Sequence, residues 1–88
     1  MSVRLGPCKR DDFIRALRVL GFQGPASGRR HEFMQYRDYS LSIPSYEEYG
    51  VDKLKEMICE VGNLIGHPIS NQDWANIKRG NKPSWLGD

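Results

Sequence analysis

At 88 residues, 39% hydrophobic and 27% charged, the chain has the composition of one small globular domain, not of a disordered or fibrous protein. Its formal net charge of +2 does not by itself call for a nucleic-acid partner, but Lys9, Arg10, Arg15, Arg18, Arg29 and Arg30 all fall in the first 30 residues, and local clusters set the field a partner feels. No run reaches the ~20 apolar residues needed to span a bilayer. Met1 to Pro7 lacks the apolar core of a secretion signal. The two cysteines, Cys8 and Cys59, are too few for a disulfide-stapled secreted scaffold, so a reduced, cytoplasmic protein is expected.

Met1 to Pro7 reads as a loose lead-in. A helix is expected over 9–20: Phe13, Leu17 and Leu20 lie on one face, Asp11 and Asp12 in the first turn suit the helix dipole, and Gly21 ends it. Phe22 to Ser27 is broken by Gly24 and Pro25, which leaves a short edge strand or an extended segment. Residues 30–36 and 39–43 read as two strands joined by a turn at Arg37-Asp38. Alternation sends Met34, Leu41 and Ile43 against the helices and leaves His31, Phe33 and Gln35 on the opposite, open face.

Pro44 ends the hairpin, and Ser45 to Gly50 is expected to be a polar, aromatic loop. Leu54, Ile58, Val61 and Ile65 repeat at helical spacing from Val51, and Gly66-His67-Pro68 stops the run. Ser70 with Asp73 three residues on marks a new N-terminus, and Trp74 and Ile77 give that short helix its apolar side. Residues 80–88 are expected to be a flexible tail, with Trp85 and Leu86 as the two side chains in it that could dock. The whole is a single domain over 1–88 with its core at about 9–77: α+β, two layers, helices on one face of a small sheet and the other face open.

His31 is the histidine in the most suggestive setting. A neutral imidazole can take the proton of a ribose 2′-hydroxyl, and an imidazolium can protonate a leaving oxygen. Arg29 and Arg30 beside it can hold a phosphate and the charge that develops on it, and Phe33 and Tyr36 offer rings on which bases can stack. Residue types alone favour a plainer reading, a solvated histidine in a basic strand. Cys8, Cys59, His31 and His67 lack zinc-ligand spacing, so no metal is expected. Cys8 at a helix start invites a lowered thiol pKa, with no base or acyl-transfer motif to make it a nucleophile.

The ordered set Leu20-Gly21-Phe22, Gly28-Arg29-Arg30-His31-Glu32-Phe33-Met34, Leu41-Ser42-Ile43-Pro44, an amphipathic helix and Ile69-Ser70-Asn71-Gln72-Asp73-Trp74 resembles the HicA-type (YcfA-like) mRNA interferase toxins over about residues 9–77. The resemblance implies a double-stranded-RNA-binding-domain-like α-β-β-β-α fold with a short C-terminal helix added. It implies the toxin of a type II toxin–antitoxin system, an endoribonuclease that cleaves mRNA without metal or other cofactor. His31 matches that family's catalytic histidine; Arg29, Arg30, Phe33 and Tyr36 would bind RNA. A HicB-type antitoxin would cover the site. Two other classes stay open on the sequence: a non-catalytic RNA-binding module and a partner-binding protein, each on the same fold.

Overall fold

The structure, a computed structural model, describes residues 3–86. Its elements in chain order are β1 (Cys8–Lys9), α1 (Arg10–Val19), β2 (Gln23–Ser27), β3 (Glu32–Tyr36), β4 (Tyr39–Ile43), β5 (Glu48–Tyr49), α2 (Val51–Ile65), α3 (Asn71–Lys78) and a 3-10 turn (Ser84–Leu86). The class is α+β, as the sequence pattern predicts.

In α1 the buried residues Phe13, Ile14, Ala16 and Leu17 recur at helical spacing, and Asp11 and Asp12 sit in its first turn. Its end is a Schellman motif: Gly21 has φ +102, its N–H donates to Arg18 O at 3.0 Å, and Phe22 N–H donates to Leu17 O at 2.9 Å. The chain therefore turns sharply from helix to sheet, with Phe22 carried into the core.

β2, β3 and β4 form an antiparallel meander in that spatial order, with β2 at one edge and β4 at the other. Met34 faces Leu41 across the ladder and Glu32 faces Ile43, whereas Phe33 faces Ser42 and Gln35 faces Ser40. Met34, Leu41 and Ile43 are buried against one core that also contains Phe13 and Leu17 of α1, Leu54 and Val61 of α2, and Trp74 and Ile77 of α3. Gln35, Ser40 and Ser42 are exposed. The predicted strand phase holds. β2 is a true edge strand, irregular between Gln23 and Ala26 where Gly24 and Pro25 sit. Arg18 of α1 braces it there by donating to Gly24 O at 2.8 and 3.1 Å.

Three expectations need correction. The helix expected from Lys9 begins at Arg10, and the 45–50 loop contains a strand: β1 and β5 pair antiparallel, Cys8 with Tyr49 and Lys9 with Glu48. Tyr49 is core, edge-on to Phe13 at 5.6 Å, with its hydroxyl donating to Pro44 O at 2.5 Å. The Cys8 thiol pKa is not lowered: burial pushes it above the usual 9.0, with Lys78 opposing. The tail docks: Trp85 stacks on His67 with centroids 3.8 Å apart and planes 6° apart, and Leu86 packs on the core. Residues 87 and 88, the rest of the expected tail, lie outside the described residues.

Candidate nucleic-acid interface

The site is built on the β2–β3 hairpin. Gly28 N–H donates to His31 O at 3.1 Å, so Gly28 and His31 are the legs of the turn and Arg29 and Arg30 its tip. A Cβ on Gly28 would lie 2.6 Å from His31 O, which is why glycine stands there. Arg29, Arg30 and His31 are exposed, and Phe33 is half-buried two residues further along the same side of the sheet.

Arg10 fastens this hairpin to the rest of the fold. Its Nε donates to Pro44 O at 3.2 Å, and its Nη2 donates to the Glu32 carboxylate. The one carboxylate adjacent in sequence to His31 is thus engaged on the helix side by a cation whose side chain is only 19% exposed.

Two open hollows meet at His31. One, of about 440 Å³, is lined by Arg29, Arg30 and Phe33. The other, of about 480 Å³, is lined by Tyr46, Lys53 and Glu60, where the β4 edge faces α2. His31, Ser40 and Ser42 line both. Among the described residues, no three of His, Cys, Asp and Glu gather as a metal-ligand set, and no helix is long and apolar enough to cross a membrane.

Four of the five residues singled out in the sequence, Arg29, Arg30, His31 and Phe33, share one hollow. Tyr36 does not join them. It follows Met34 in the alternation, so it lies on the helix side of the sheet, its ring 5.0 Å from that of Phe22 and its outer face under the Arg37 guanidinium at 5.4 Å. Period-two reading places it there once Met34 is inward. Tyr46 and Lys53 are the site neighbours that sequence reading misses. They come from a loop and from the first turn of α2, and no periodicity ties either to His31; the nearest sequence signal is an aromatic in the polar loop, two residues past the proline that ends β4.

Comparison with known protein families, with curated proteins and with solved structures finds no match to this chain.

Proposed function

We propose that this chain is a metal-independent endoribonuclease of the HicA type, the toxin of a type II toxin–antitoxin pair, acting on mRNA in the cytoplasm. One observation carries the reading: an exposed imidazole stands at the foot of a diarginine turn, on the sheet face that the helices leave uncovered. The order α1-β2-β3-β4-α2 is compatible with the finer plan of that family, a double-stranded-RNA-binding-domain-like sheet with two helices behind it.

The chemistry follows from the residue types. His31 takes the proton of a ribose 2′-hydroxyl as that oxygen attacks the adjacent phosphorus. The bond from phosphorus to the 5′-oxygen breaks, and that oxygen leaves as a hydroxyl by taking a proton from solvent water, while His31 returns its proton to solvent. The products are a 2′,3′-cyclic phosphate and a 5′-hydroxyl. Arg29 and Arg30 neutralise the phosphate and the added charge of the transition state, and Phe33 provides a surface for a base. A HicB-type antitoxin is the partner that holds the enzyme silent.

The test is His31→Ala. The side chain is exposed, so its loss costs little packing. The variant should keep its fold by circular dichroism, lose roughly 10²- to 10⁴-fold in RNA cleavage, the usual yield of a positioned acid–base group, and no longer arrest growth when expressed. Cleavage by the folded variant at the native rate refutes the assignment.

A further inference from the structure

A nuclease that cuts within a strand has to position nucleotides on both sides of the bond it breaks. Arg29, Arg30 and Phe33 serve one side of His31. The other side is the second hollow, and its contents are of the same chemical kind. The ladder ends at Glu32 and Ile43; the next residues outward, His31 and Pro44, line the same hollow, and so does Tyr46 two residues past Pro44. Tyr46 is 66% exposed, more than any other large hydrophobic side chain among the described residues. Lys53, in the first turn of α2, borders the same hollow.

We propose that this hollow is a subsite for an unpaired nucleotide of single-stranded RNA, with Tyr46 stacked on the base and Lys53 on the phosphate beyond it. The inference rests on the endoribonuclease reading for which bond is cut, and extends it to the class of substrate. An exposed ring is a platform only for a base with a free face. In a duplex both faces of every base are covered by neighbours, so the platform selects unpaired strands. Lys53 is available to a ligand: its pairing with Glu56 spans 3.9 Å between exposed side chains and is worth little. Glu60 also lines the hollow, two helical turns along α2 from Lys53. That separation, about 10 Å at the helical rise, keeps the carboxylate away from a phosphate seated at Lys53. It leaves Glu60 as an acceptor for a base amino group.

The experiment measures binding of a short fluorescent single-stranded RNA with 2′-O-methyl riboses, which has no 2′-hydroxyl to attack, beside the same strand annealed to its complement. The native protein should prefer the single strand. Tyr46→Ala should weaken that binding about tenfold or more, the effect of removing one stacking platform, and Tyr46→Phe should restore it. Lys53→Gln should weaken binding and reduce the salt slope by about one. Native binding by Tyr46→Ala, or equal affinity for the duplex, overturns the subsite. The two readings fail separately. If binding depends on Tyr46 but His31→Ala still cuts unmodified RNA, the subsite stands and the catalytic assignment falls. If His31→Ala is dead while Tyr46→Ala keeps native binding and KM, the reverse holds. If neither RNA form binds, both fall.

Discussion

Gly28 has no space for a side chain, because the atom a Cβ would strike, His31 O at 2.6 Å, is backbone and belongs to the residue the hairpin presents. Gly28→Ala should therefore separate the turn's legs, break the Gly28–His31 hydrogen bond and displace the imidazole. The expected cost is about 1–3 kcal/mol of stability, with a larger proportional loss in RNA cleavage. Gly6→Ala is the control: Gly6 lies outside every helix and strand, and nothing lies within 4 Å of an added Cβ, so its stability and activity should match the native protein. Urea unfolding and cleavage assays on both variants decide it, and an active, stable Gly28→Ala would remove the turn from the argument. At this scale the sequence was informative where chemistry is local. Two arginines followed by a histidine in a strand-like run pick out residues that line one hollow in the structure. It misleads where residue type overrides geometry: Tyr36 and Phe33 look like paired stacking rings, although three positions separate them and odd separations in a strand point to opposite faces.

α3 is eight residues long and depends on its ends. Ser70 Oγ accepts from Asp73 N–H at 3.0 Å, and the Asp73 carboxylate accepts from Ser70 N–H at 3.2 Å, a reciprocal capping box. Slight burial acts to raise the Asp73 pKa, but the hydrogen bonds from Ser70, with His67 adding to them, hold it below its ordinary 3.8. A carboxylate depressed in the folded state stabilises it at pH above the unfolded value, and that contribution fades as pH falls through the folded value. Acid below about 3.8 should thus loosen α3 in the native protein, whereas Asp73→Asn should be less stable at neutral pH and lack that part of the acid dependence. Ser70→Ala should cost about 1 kcal/mol. Urea titrations at pH 7 and pH 3 check all three; an acid limb that is the same in Asp73→Asn removes Asp73 from the account. The helices were legible because each carries a 3.6-residue apolar period and a stop: Gly21, Gly66 and Gly80 all take positive φ just past a helix end. The β1–β5 pair was not legible, because strands of two residues have no period and their register lies some forty positions apart. Trp85 is legible as a side chain able to dock, but its partner is not, because no period links a lone aromatic to a loop histidine.

The molecule measures 42 × 30 × 20 Å between its outermost Cα atoms. Its short axis holds one helical layer on one sheet at about 10 Å spacing, so nothing in the described residues covers the sheet's second face. That face is polar: Ser40, Ser42 and Gln35 are exposed, Phe33 is half-buried, and Arg29 and Arg30 project from its end. With Tyr36 on the other side, it is not an apolar patch that a protein would cover by hydrophobic burial alone. A HicB-type partner that silences the proposed nuclease should therefore bind chiefly through charge, with acidic side chains meeting Arg29 and Arg30, and should associate faster and more tightly at low salt. RNA would use the same surface through the same cations, so partner and RNA should exclude each other. Saturating partner should abolish binding of uncleavable RNA and slow amide exchange over 29–33 and 40–42, while Arg37, at the far tip of the β3–β4 hairpin, should exchange as in the free protein. Arg29→Ala combined with Arg30→Ala should weaken both ligands and flatten the salt dependence of each. A ternary complex of chain, partner and RNA, or protection confined to α2 and α3, would place inhibition at a different surface and end the case for a shared one.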